Sequence, residues 1–103
     1  MGIKEYDNCK IVENGNVAEI SFKNDPKSIE KVKSIIFLEI EVKPGDNVKK
    51  GDILLKGEIM KGTFEMDSKV EGKVTDVNRE AEENPEILNS KPDLWLIKVG
   101  IKK

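Results

Sequence analysis

Gly57-Glu58-Ile59-Met60-Lys61-Gly62-Thr63-Phe64-Glu65-Met66 is the stretch on which the reading of this chain turns. A strand-like run, Ile53 to Ile59, meets a second one, Thr63 to Met66, with only Met60, Lys61 and Gly62 between them. So short a gap admits a hairpin turn and little else. Gly62 supplies the positive φ that a tight hairpin demands. Met60 and Lys61 then fall at or beside the apex, and the ε-amine of Lys61 stands in water away from the sheet. An enzyme needs that geometry to reach the amine and attach something to it. A lysine on a turn is ordinarily only a solvated charge, so the rest of the chain must decide between the two.

The composition narrows the field. The 103 residues fit one domain, and 37% of them are charged, above the usual value of about 25%. The net charge is −2 with both signs interspersed. No basic patch with aromatics stands out, so nucleic acid is not expected as a partner. The chain has no apolar stretch of about 18 residues and no charged-then-apolar leader, which predicts a cytoplasmic protein without a membrane partner. There is no histidine, and Cys9 is the lone cysteine. The commonest general base and the commonest metal ligand are therefore missing, and a lone cysteine without histidine argues against a thiol nucleophile pair and a zinc site. Asp and Glu are abundant, but no pair is marked out for acid–base work. The reading assigns no catalytic residue and no metal ligand. It predicts a protein that is acted upon, not an enzyme, and a monomer.

Taken in order, the chain reads as short strands. Residues 1–8 show no period and are expected to be loose. Cys9 to Glu13 and Val17 to Lys23 flank Asn14-Gly15-Asn16, a strong hairpin signal, with Cys9 as a small buried thiol on the first strand. Asp25 as N-cap and Pro26 at the first helical position predict a helix to about Lys33, with Ile29 and Val32 facing inward. Ser34 to Val42 is a strand, and its continuous apolar run Ile35-Ile36-Phe37-Leu38 predicts burial on both faces. Gly45-Asp46 and Gly51-Asp52 mark two turns, with Val42 and Val48 pinning the loop. Ser68 to Val77 is a further strand, in which Gly72 signals a bend or a close backbone approach. Asn84 and Pro85 open one helical turn with Ile87 and Leu88 against the core. Leu94 to Val99 closes the sheet, with Trp95 as its largest anchor. Many short strands joined by Gly and Pro turns predict a small all-β sandwich or barrel-like domain.

Several segments, in this order, resemble the lipoyl-carrier H-protein of the glycine cleavage system. They are Phe37-Leu38-Glu39, Val48-Lys49-Lys50-Gly51-Asp52, Glu58-Ile59-Met60-Lys61, Val70-Glu71-Gly72-Lys73-Val74, Val77-Asn78, the Glu83-to-Asn89 stretch and Trp95-Leu96-Ile97-Lys98-Val99. The resemblance implies a mainly β, lipoyl-domain-like barrel-sandwich hybrid of short antiparallel strands with one or two short helices. It implies Lys61 as the residue that carries lipoate through an amide bond. Glu58, Met60 and Gly62 are the candidates for recognition by the modifying enzyme or for turn geometry. The implied partners are a lipoate ligase or lipoyl/octanoyl transferase that loads Lys61. Glycine decarboxylase, aminomethyltransferase and dihydrolipoyl dehydrogenase would then exchange an aminomethyl group or electrons with the arm.

Ile59, Met60 and Gly62 stand where that family usually has Ser or Thr, Val and Ala. The chain also stops at Lys103 without the C-terminal helix of full-length relatives, so weaker coupling to glycine decarboxylase is expected. Its length is similar to that of shorter H-like lipoyl proteins, which serve redox-stress or sulfur relays. Biotin carriers present Met-Lys-Met. Glu58 and Met60 fit that pattern, whereas Gly62 and the segment after Val77 do not. An unmodified binding module on the same scaffold is the remaining alternative.

Overall fold

A computed structural model describes residues 2–101. Among them nine strands form two antiparallel sheets. The first three strands are β1 (Gly2–Glu5), β2 (Lys10–Asn14) and β3 (Val17–Ser21). Helix α1 (Pro26–Lys33) follows, then β4 (Ile35–Ile40), β5 (Asn47–Val48), β6 (Ile53–Ile59), β7 (Gly62–Asp67) and β8 (Gly72–Val77). Helix α2 (Arg79–Glu83), a 3-10 turn over Pro85–Asn89 and β9 (Ile97–Ile101) complete the order. The larger sheet runs β1-β2-β3-β9-β8-β5 and the smaller β4-β6-β7. This is the small all-β sandwich that the turn pattern predicts, and its short antiparallel strands and short helices agree with the fold that the resemblance implies.

The core lies where the inner faces of the two sheets meet. Ile11, Ala18, Ile20, Val74, Ile97 and Val99 come from the larger sheet, and Leu38, Leu54, Leu55 and Met66 from the smaller, all buried. Cys9 is buried among them. Helix α1 starts as its sequence predicts: the Asp25 carboxylate accepts a hydrogen bond from the Ser28 backbone N–H at 2.8 Å, and Val32 is buried. The β2–β3 hairpin closes with Gly15 and Asn16 as its two loop residues. Gly15 has φ +66° and among the described residues no non-glycine residue has positive φ, so glycine leads the turn.

The two Gly-Asp turns are copies of each other and hold the smaller sheet against the larger. In each, the Asp carboxylate accepts from the backbone N–H three residues earlier: Lys43 to Asp46 at 3.0 Å, Lys49 to Asp52 at 2.8 Å. Gly45 and Gly51, with φ +100° and +97°, donate to the carbonyls of Val74 and Ser68. Val74 and Ser68 return the bond to the carbonyls of Asp46 and Asp52. Val48 is buried between the turns. At Gly72 the close approach is literal, because a Cβ there would lie 1.9 Å from the Gly100 carbonyl oxygen.

Four expectations need correction, and one further element joins them. Residues 1–8 are not loose throughout, since Gly2–Glu5 pair with β2 as an edge strand. All four are exposed, so no face selects apolar residues and no period shows. The apolar run at the start of β4 is not buried on both faces. The register slips between Ile35 and Phe37, and the bulge turns Ile36 and Phe37 outward, 66% and 51% exposed. The strand expected from Ser68 begins only at Gly72, because Ser68 binds the Gly51-Asp52 turn instead. Helix α2 has no counterpart in the sequence reading. Asn78 caps it, Ala81 is its buried residue, and the Glu82 carboxylate accepts the Ile40 backbone N–H at 2.7 Å, which satisfies an edge donor of β4. Trp95 is half-buried and precedes β9, with Lys98 Nζ 4.6 Å from its ring centroid. Leu96 and Ile97 are the buried anchors of that segment.

Candidate functional site

Strands β6 and β7 pair from Ile53↔Asp67 to Ile59↔Gly62, so Met60 and Lys61 are the two loop residues of the hairpin. Neither has positive φ. Two-residue hairpins favour turns with positive φ at their first loop position, because other turns splay the strands against their natural twist. Here the left-handed torsion falls two residues later, on Gly62 at φ +156°, just past the loop. A Cβ at Gly62 would have no heavy atom within 4 Å. The demand for glycine there is therefore torsional and not a matter of space.

This turn exposes what it carries. Met60 is 81% exposed, and Lys61, Gly62 and Glu58 are also on the surface. Lys61 takes part in no ion pair among the described residues. A primary amine at the tip of a two-residue hairpin, without a carboxylate partner to displace among the described residues, fits amide attachment of a small acid. The four residues singled out from the sequence, Glu58, Met60, Lys61 and Gly62, lie together on this one hairpin. No group of three or more Asp, Glu or Cys side chains among the described residues is arranged to hold a metal ion.

Inside the sheet, the base of the hairpin is fixed. Phe64 stands opposite Gly57 and meets Phe22 edge-on with ring centroids 5.9 Å apart. Lys31 Nζ lies 4.4 Å above the Phe64 ring. Burial there, with Lys27 adding repulsion, lowers the pKa of Lys31 below the ordinary lysine value. The aromatic contacts hold β7 to the core and leave the turn to project.

The outer face of the smaller sheet is a grid of exposed side chains. One row runs Phe37–Glu58–Thr63 and the next Glu39–Lys56–Glu65. They line an open groove of about 510 Å³. Phe37 and Ile36 belong to the site's surroundings, whereas their apolar run predicts burial on both faces. An apolar run gives no sign of the bulge that turns it outward.

Residues 4–103 match the family model described as Glycine cleavage H-protein. A probable glycine cleavage system H protein of Thermoplasma acidophilum is 35% identical over 89 residues, which cover 85% of this chain and 69% of that protein. A probable glycine cleavage system H protein of Thermoplasma volcanium is 38% identical over 60 residues, covering 57% of this chain and 49% of the relative, about half its length. Among solved structures, a glycine cleavage system H protein from Mycobacterium marinum superposes with a TM-score of 0.78 over 98% of this chain and 86% of that one. At 17% identity this is a likeness of fold.

Proposed function

This chain belongs to the glycine cleavage H-protein family, and we propose on that premise that it is a lipoyl carrier with Lys61 as the attachment residue. Members of the family are carriers, not catalysts. The observation that carries the assignment is the position of Lys61 at the two-residue tip of β6–β7. The chain's part in loading is nucleophilic. Once deprotonated, the Lys61 amine attacks an activated acyl carbonyl. The N–C bond forms as the bond to the leaving group breaks, and the nitrogen releases a second proton to become the amide. When bound, lipoate supplies a cyclic disulfide that opens to take up an aminomethyl group or an electron pair.

The chain's own contribution thereafter is position. Hairpin β6–β7 is held by Phe64 and the core, so a group on Lys61 stays tethered at high local concentration near any enzyme docked to the chain. That role needs no histidine, metal or paired carboxylates. Glu58 and Met60 flank the amine as contacts for the loading enzyme, and Gly62 sets its direction. The cargo proposed is the aminomethyl group of glycine cleavage, exchanged with glycine decarboxylase and aminomethyltransferase and followed by reoxidation through dihydrolipoyl dehydrogenase.

The test is to incubate the purified chain with lipoate ligase, lipoate and ATP, and separately with biotin ligase, biotin and ATP. A lipoyl signal without a streptavidin signal is expected. Gly62 removes the second methionine contact that a biotin carrier's turn offers, worth about 1–3 kcal/mol by buried area. A streptavidin signal alone would overturn the assignment.

A further inference from the structure

We propose that the outer face of the smaller sheet is the docking surface for the enzyme that acylates Lys61, and that this enzyme presents an apolar notch rimmed by Lys and Arg. The inference rests on the carrier reading of Lys61 and adds the surface through which the amine is reached. An enzyme that closes on Lys61 Nζ must lie against one side of the hairpin. On the inner side the hairpin base is packed by Phe22, and Lys31 lies over Phe64. Among the described residues the outer side is unpartnered, and it begins beside the turn. Ile36, Phe37 and Met60 are 66%, 51% and 81% exposed, and Phe37 pairs with Glu58, two residues from Met60. Exposed apolar side chains grouped beside the reactive amine mark an interaction surface.

Charge identifies the partner. Beyond Phe37 the face carries Glu58, Glu39 and Glu65, with Glu41 at its margin. Lys56 is the cation within the grid, and it is tied to Glu41 at 3.3 Å. The face is therefore strongly acidic, although the whole chain is only −2. Complementary rim charges speed encounter and fix register, and they make association sensitive to salt.

The experiment uses the apo-chain with lipoate ligase, lipoate and ATP, and follows both acylation kinetics and direct binding of Lys61→Arg to the ligase by calorimetry. The variant Glu39→Lys/Glu58→Lys/Glu65→Lys is compared with Glu5→Lys/Glu71→Lys/Asp76→Lys, which makes the same change in net charge at exposed positions on the larger sheet and its adjoining turn. The milder Glu39→Gln/Glu58→Gln/Glu65→Gln and Phe37→Ser are included, with thermal midpoints measured throughout. The first variant should raise KM for the chain by about tenfold, leave kcat unchanged and flatten the salt dependence. The glutamine variant should fall between it and the wild type. Phe37→Ser should weaken binding without altering the salt slope, and the control should match the wild type. Acylation of the wild type with KM unchanged in the outer-face variants overturns this inference and the enzyme contact assigned to Glu58, and leaves the carrier reading of Lys61 standing. No acylation of the wild type overturns the carrier reading and this inference with it.

Discussion

Gly57 lies opposite Phe64 across β6 and β7, and the Phe64 ring occupies the place where a side chain at 57 would stand. A Cβ on residue 57 would sit 2.4 Å from Phe64 Cζ and 2.9 Å from the Phe37 carbonyl oxygen. The bare backbone at Gly57 lets the ring reach Phe22, and that contact ties the hairpin base to the core. Gly57→Ala should therefore cost about 1–3 kcal/mol through overpacking, seen as a lower thermal midpoint. Near-UV circular dichroism should report the displaced aromatic pair. An unchanged midpoint would mean that the ring has room to move aside.

Gly62 tests a different constraint. Space around it is open, so a substitution meets only the backbone torsion. Gly62→Val should cost about 1–3 kcal/mol as a residue held at positive φ, and should slow acylation by re-aiming Lys61. Gly62→Ala should cost less, because branching at Cβ adds to the torsional penalty. Thermal melts and ligation rates measured on the same samples separate the two effects. Ligation of Gly62→Val at the wild-type rate would show that turn shape does not present the amine.

Cys9 predicts an alkaline limit to stability. Burial raises its pKa to about 11 from 9.0, with Lys69 pulling it down, Asp67 pushing it up and Lys23 pulling it down. The folded chain thus keeps the thiol proton at pH values where the unfolded chain loses it. This contribution to stability is complete below about pH 9 and falls as pH rises through about 11. Urea midpoints measured between these limits should decline more steeply for the wild type than for Cys9→Ala. At about pH 8 the native thiol should resist a disulfide reagent until the protein unfolds. Rapid labelling of the native protein would contradict the burial.

The hairpin at the centre of the site is legible in the sequence because two β-type runs leave room only for a turn, and both bounds of β6 come out as read. Asp25-Pro26 likewise marks the start of α1. What the sequence hides are features without a period. Strand β1 has solvent on both faces, and α2 is one short polar helix with Ala81 as its buried residue. Ile36 and Phe37 look like core because hydrophobicity is visible in sequence and a register slip is not. The same slip puts apolar surface beside Lys61, so the part of the site that reading missed is the part made by β4. The torsion at Gly62 was expected from the hairpin's length. That it follows the two loop residues, and does not sit on one of them, depends on the pairing Ile59↔Gly62.

The measurement that bears most directly on the central claim is the intact mass of the chain from a lipoate-replete cell with competent loading enzymes, with fragmentation to locate any added group. The account predicts a gain of one lipoyl group, carried on the peptide that contains Lys61. It also predicts that Lys61→Arg shows no gain while its stability stays within about 0.5 kcal/mol of the wild type, as expected for an exposed turn residue. A lipoyl group on another lysine, biotin on Lys61, or an unmodified chain from such a cell would contradict it.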